Sequence, residues 1–400
     1  YRLHQGLLRI GVVSRLFVQG RSSDDPYVQG PATLLAKAAS KVRPSVDLRP
    51  LKNYPNWERK MFSAAWLPAP DLVRKINSSD ADVVHLHWIN GGMLRIEDLA
   101  KIRKPMVWSM HDMWAYTGGC HYDENCGKFM THCGKCPILA SDEEKDLSYR
   151  VFERKQRTYG NMAPITFIGL SKWMADSARS SALTKGHEVV ELPNPIDTQV
   201  FKPIDKKMAR QILGLPLDRP IVLFGAVNAT ADPRKGFSHL KAALAVLPKG
   251  SVELAIFGAS RPIDAPDLGH PTHFMGRLND DLSLCLLYNA ADVTVVPSVQ
   301  ENLSNTIVES LSCGTPAVAF KIGGNPDMIE HMSNGYLAKP FDPKDLAHGI
   351  GEVLGRNQTG AFSTRARELT MERFEMELVS RKYLELYQRV QSTHSVLERS

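Results

Sequence analysis

The sequence predicts an α/β protein of two doubly wound domains, each a parallel sheet with helices on both faces. Three observations predict it. Short apolar runs at 81–86, 165–169, 221–225, 252–257 and 293–296 read as strands buried on both sides. Helix-length segments with a polar face alternate with these runs, which is the order of a parallel sheet. At 193–197 the chain reads Pro-Asn-Pro-Ile-Asp, a stiff connector between two such series. Four hundred residues are enough for two cores.

Taken in order, residues 1–9 are apolar at 1, 3, 7 and 8 and read as an amphipathic helix already under way. An α/β domain ordinarily begins with a strand and a Gly-rich turn, so the expectation is that both are missing ahead of Tyr1. A strand follows at 12–18 and a helix at 31–41. The Pro- and Trp-containing stretch 43–70 reads as irregular, and 72–77 as a helix. His85, His87 and Trp88 stand at the carboxyl end of the strand 81–86, where open α/β sheets gather ligands. His87 is expected to line the cleft and His85 to belong to the core. A helix at 93–101 leads to a strand at 106–110, which ends in His111 and Asp112. Residues 148–159 are a helix, 165–169 a strand, 173–180 a helix with Ser171 as N-cap, and 188–192 the last strand of the first domain. In the second half, helices at 208–213, 237–247, 280–289, 342–354, 365–374 and 377–391 alternate with strands. The strands lie at 221–225, 252–257, 272–275, 290–296, 316–320 and 335–338. The domain limits are 1–194, 195–375 and a C-terminal helix at 376–400.

Composition is that of an ordinary globular protein, with 43% hydrophobic and 23% charged residues. The net charge of +6 favours phosphate-bearing ligands or an anionic membrane surface. No apolar run reaches the roughly eighteen residues of a membrane span, and no signal peptide is visible. The expectation is a cytoplasmic protein, peripheral to the inner membrane face, with no nucleic-acid partner.

Four of the six cysteines, Cys120, Cys126, Cys133 and Cys136, fall within the insertion 118–137. The closing Cys-Gly-Lys-Cys has the spacing of a zinc-knuckle turn. Disulfides are disfavoured in the cytosol, so the alternatives are a structural zinc and reduced, packed thiols. His121 or His132 could replace one ligand.

The stretch from Pro297 to Asn325 is read as a loop, a short helix, a strand and a Gly-Gly turn. Glu301 lies in the loop and Glu309 inside the helix, eight positions apart. Between them Asn302, Leu303, Ser304, Asn305 and Thr306 enter the helix, whose free N–H groups and positive dipole end suit an anion. A carboxylate beside such a site suits sugar hydroxyls next to a phosphate.

These two glutamates, Cys313-Gly-Thr-Pro316 and the Gly-Gly-Asn-Pro at 323–326 resemble the donor-sugar site of retaining GT-B glycosyltransferases of family 4. The Pro-Asn-Pro-Ile-Asp connector is similar to that family's interdomain hinge. The resemblance implies two Rossmann-like domains facing a cleft and a sugar transfer without a catalytic metal. It implies that Glu309 holds the ribose and Glu301 the donor sugar. Arg234, Lys235 and the amides of 302–306 would hold the diphosphate, Gly276 and Arg277 would lie against the base, and His111 would reach the donor sugar from the first domain. The family has an Arg about six residues before Lys235-Gly236, where this chain has Ala229; Arg234 would supply the missing charge. The His111-to-Tyr122 string and the cysteine insertion resemble colanic-acid, exopolysaccharide and O-antigen transferases. The implied partners are a UDP or GDP sugar and a saccharide acceptor, lipid-linked in that setting. The other readings are a nucleotide-sugar hydrolase or epimerase on the same fold, and a non-catalytic scaffold that binds nucleotide sugar.

Overall fold

The computed structural model describes residues 1–57, 60–225, 232–258 and 267–397. The chain divides into two compact units. Tyr1, residues 3–192 and residues 380–400 make up one; Arg2 and residues 193–379 make up the other.

Helix α1 (Arg2–Arg9) comes first and, apart from Arg2, belongs to the first unit. The expected strand at 12–18 is reduced to β1 (Leu16–Phe17), which pairs in parallel with β2 (Val28–Gln29). The helix expected to stop at residue 41 continues, as α2 (Leu34–Asp47), through Pro44. A proline removes one donor from the helix ladder. Next to it the Arg43 guanidinium donates to the carbonyls of Leu67, Pro68 and Gly92 and fixes this turn from outside. After α3 (Pro70–Asn77) come β3 (Val84–Leu86) and β4 (Met106–Met110). The helix expected at 93–101 is a 3₁₀ segment, Ile96–Lys101. Then follow α4 (Leu147–Gly160), β5 (Ile165–Gly169), α5 (Lys172–Ser180) and β6 (Glu188–Glu191). The main sheet runs β3-β4-β5-β6, all parallel. Ser171 caps α5 by accepting the Met174 N–H.

The second unit contains α6 (Lys206–Leu213), β7 (Ile221–Gly225), α7 (Phe237–Leu244), β8 (Glu253–Phe257), β9 (Thr272–Gly276) and α8 (Asp281–Ala290). They are followed by β10 (Val293–Val296), α9 (Asn305–Ser312), β11 (Ala317–Phe320), α10 (Asn325–Met328) and β12 (Gly335–Ala338). Helices α11 (Pro343–Arg356), α12 (Ala361–Arg373) and α13 (Met376–Leu397) close the chain. The last of these leaves the second unit at Val379 and continues in the first. The sheet order is β12-β11-β10-β7-β8-β9, all parallel. The chain winds outward from β7 through β8 to β9, then returns to the other side of β7 and winds out again. Side chains alternate across this sheet: Ile221 and Leu223 enter one buried cluster, Val222 and Phe224 the other. Burial on both faces is why each strand reads as an unbroken apolar run.

No helix among the described residues is long and apolar enough to cross a membrane.

Candidate donor site and comparison with known proteins

The sheet order reverses between β7 and β10. Chain segments leaving the carboxyl ends of two such strands diverge to opposite faces and open a crevice between them. A cleft lies there, lined by Gly225 at the end of β7, Val296, Pro297 and Ser298 at the end of β10, and the side chains of Lys235, Glu301, Ser304 and Thr306.

Lys235 arrives on a one-turn 3₁₀ helix, Pro233–Lys235, capped by Asp232, whose carboxylate accepts the Arg234 N–H. Gly236 then turns the chain at φ +70°, and a Cβ there would stand 1.8 Å from the Pro297 carbonyl oxygen. This position therefore requires glycine, because the loop after β7 touches the backbone leaving β10. The Val299 N–H donates to the Arg234 carbonyl at 2.9 Å and ties the same two loops. Across the cleft the Lys235 ammonium donates to Glu301 Oε2 at 3.2 Å.

Glu301 is held from behind. Its carbonyl accepts the Gly324 N–H at 3.2 Å. Gly323, at φ +49°, passes so close that a Cβ would lie 2.0 Å from that oxygen. Three residues on, Ser304 is the N-cap of α9, but its side chain makes no capping hydrogen bond. The first-turn amides of α9 thus open toward the cleft uncapped by a side chain. The Ser298 hydroxyl is buried and has no hydrogen-bond partner among the described residues. Sequence reading passed over Ser298; the available signal was a small polar residue directly after an apolar strand at the point of reversal.

Glu309 does not line the cleft. It is buried within α9, where the Tyr288 hydroxyl donates to its Oε2 at 2.8 Å, and burial raises its pKa above the ordinary carboxylate range. The Arg234 guanidinium grips Asp232 at 2.8 Å and 3.3 Å. Asn302 is buried, Leu303 packs on the core beneath α9, and Asn305 is exposed. Gly276 ends β9 at φ +67°, and Arg277 beyond it is exposed. Ala229 lies outside the described residues.

In the first unit, His111 follows β4 and shares a hydrogen bond of 3.0 Å between its Nε2 and His87 Nδ1. His87 in turn stacks on His85 at 4.1 Å between ring centroids. His85 bonds Ser109 at 2.8 Å and the Tyr387 hydroxyl at 2.7 Å. Burial pushes all three imidazoles down, His85 to about 3, so they are neutral at pH 7. A second chain was missed by sequence reading. Asp112 Oδ2 meets His121 Nδ1 at 2.7 Å, and His121 Nε2 meets the Ser63 hydroxyl at 2.9 Å. His121 is thereby committed to two partners. His132 is held likewise, by Glu153 at 2.9 Å and the Cys133 carbonyl at 2.7 Å. The cysteines Cys120, Cys126, Cys133 and Cys136 line one cavity of their own, and all are free thiols.

Residues 1–200 match the family model described as Glycosyltransferase Family 4, and residues 205–368 match that of Glycosyl transferases group 1. An uncharacterized glycosyltransferase of Methanocaldococcus jannaschii is 26% identical over 68% of this chain and 73% of its own length. The D-inositol 3-phosphate glycosyltransferase of Mycolicibacterium smegmatis is 28% identical over 72% of this chain. The chain spans 62% of the length of that relative. Among solved structures, sucrose-phosphate synthase from Thermosynechococcus elongatus aligns with a TM-score of 0.68 at 19% identity, over 98% of this chain and 92% of that one. Anabaena HepE in complex with UDP and glucose aligns at 0.57 and 18% identity, over 80% of each chain. These neighbours share the GT-B fold. With one family model covering the first half of the chain and a second covering most of the remainder, the chain belongs to glycosyltransferase family 4.

Proposed function

We propose that this chain moves a sugar, with retention of anomeric configuration, from a nucleoside-diphosphate sugar to a lipid-linked saccharide in exopolysaccharide or O-antigen assembly. The observation that carries the donor half is the cleft at the reversal of the sheet. It gathers a cation, a carboxylate, an unpartnered buried hydroxyl and an uncapped helix N-terminus. In this reading the diphosphate lies against the amides of 302–306. Lys235 and the Ser298 hydroxyl hold its oxygens, and Arg234 stands one residue from that cation. Glu301 accepts from hydroxyls of the donor sugar, and Gly276 and Arg277 meet the base. Glu309, whose Oε1 meets Arg2 at 2.7 Å and whose Oε2 accepts from Tyr288, is assigned to the ribose on the family resemblance alone. A phosphate entering beside Lys235 replaces part of its contact with Glu301 and frees that carboxylate for sugar hydroxyls. His111 is assigned to the donor sugar on the family resemblance. Its neutral imidazole can donate a hydrogen bond without carrying a charge of its own.

The transfer follows a front-face course. The bond between the anomeric carbon and the phosphate oxygen breaks with its electron pair going to the leaving diphosphate. The acceptor oxygen bonds the same face of that carbon, and its proton passes to the departing phosphate oxygen. The lysine and the helix end stabilise the charge that develops there. The lipid-linked acceptor and a peripheral membrane location rest on the resemblance of the His111-to-Tyr122 string and on the net positive charge.

The test is incubation of the full chain with radiolabelled UDP and GDP sugars and a bacterial lipid extract. Label entering the lipid fraction is the expected result. Release of free sugar alone, or nucleotide binding with no turnover under any donor, overturns the proposal.

A further inference from the structure

We propose that Cys120, Cys126, Cys133 and Cys136 form a structural zinc site that fixes the loop carrying His121. Among the described residues, no three His, Cys, Asp or Glu side chains are already drawn together to hold an ion. All four cysteines instead line a single cavity. Three features of that cavity point to a metal.

The first is how the sulfurs are held. The Cys136 N–H donates to Asp146 Oδ2 at 2.7 Å, and its carbonyl accepts the Leu139 N–H at 3.1 Å, so the turn carrying this cysteine is fixed. A turn held through its backbone keeps its sulfur at a fixed place on the cavity wall, as a ligand turn must. The close approaches are made by glycines. A Cβ on Gly118 would stand 2.9 Å from Cys133 Sγ, and one on Gly134 would stand 2.4 Å from the Glu144 carbonyl oxygen.

The second is charge. Lys155 is fully buried. Its ammonium donates to the carbonyls of Trp114 and Thr117 and lies 3.5 Å from the centre of the Trp114 ring. It makes no salt bridge among the described residues. The side chains that bear on it most strongly are Cys120 and Cys133, with Asp112 after them. A buried cation without an ion-pair partner is costly. When Zn²⁺ replaces the four thiol protons, the four thiolates and the ion together carry two negative charges, which offsets this ammonium.

The third is that the competing histidines are occupied. His121 is held by Asp112 and Ser63, and His132 by Glu153 and the Cys133 carbonyl, so the four sulfurs are the ligand set. Binding draws them in to about 2.3 Å from the ion. Cys120 pairs with Phe62 across an antiparallel bridge, and His121 beside it donates its N–H to the Met61 carbonyl. An ion on Cys120 therefore anchors the strand-like segment whose His121 orients Asp112, the neighbour of His111.

Metal analysis of the full chain tests this. Purified protein passed through metal-free buffer should retain about one zinc per chain by plasma mass spectrometry, as a four-thiolate structural site would. Exchange with Co²⁺ should give the intense visible bands of tetrahedral cobalt thiolate. Cys126→Ser, at one of the two partly exposed cysteines of the four, should weaken and shift those bands, whereas Cys313→Ser in the second unit should leave them unchanged. A chain with native far-UV dichroism that retains no zinc and gives no cobalt bands on titration overturns the site. Bands indifferent to Cys126→Ser overturn the four-cysteine ligand set.

Discussion

The hydroxyl of Ser298 has a buried position and no hydrogen-bond partner among the described residues. A group left in that state costs folding free energy that a ligand's hydrogen bond can recover. Ser298→Ala is therefore expected to leave thermal stability unchanged or raise it, and to weaken nucleotide-sugar binding by about 1 kcal/mol, or roughly fivefold. Calorimetric titration of the variant beside a melting curve measures both; a loss of stability with unchanged binding would place Ser298 in the core alone. Lys235→Ala removes a charged donor from the cleft. It should lower kcat/KM by about 2–3 kcal/mol, with melting temperature little changed because the side chain is partly exposed. Glu309→Ala should raise the donor KM, costing about 2–3 kcal/mol of transition-state binding if its carboxylate holds the ribose. Unchanged steady-state kinetics would remove Glu309 from the site.

At the scale of elements, the cleft depends on two loops meeting at backbone distance, and glycine makes that meeting possible. Gly236→Ala would drive a methyl into the Pro297 carbonyl at 1.8 Å and also strain a left-handed residue. The expected outcome is a loss of about 2–3 kcal/mol in denaturant unfolding of the second unit, together with loss of donor binding. A variant as stable as the parent would show that the two loops can part freely. These elements also show how far the sequence could be read. Strands β5 and β7 were legible to the residue, because a strand buried on both faces leaves an apolar run of its own length. The loop position of Glu301 and the helical position of Glu309 were legible from the Pro, Asn and Ser residues around them. Helix α2 was read short because 43–70 was taken as an irregular, Pro- and Trp-containing connection, and the tie from Arg43 to carbonyls of distant loops has no local signature. The partners of His121 were equally hidden, since Ser63 lies 58 positions away and the pair is made by tertiary packing.

For the molecule as a whole, acid is the weak side. Burial lowers the pKa of His85, His87 and His111 in the folded chain, His85 from the usual 6.5 to about 3. Between those two pH values the unfolded chain takes up a proton that folded His85 refuses, so stability falls as pH drops from 6.5 toward 3. Above pH 6.5 these groups contribute no pH dependence. Denaturant unfolding followed by fluorescence should show this decline, and His85→Gln should flatten it; an unchanged slope in that variant would assign the acid sensitivity elsewhere. The second unit has a different kind of robustness. The two strands that frame its cleft are the innermost pair of six, shielded by β11 and β12 on one side and β8 and β9 on the other. Amide deuterium uptake should begin at the outer ladders and reach β7 and β10 last, so fraying at the rim of the sheet would leave the scaffold beneath the ligand undisturbed.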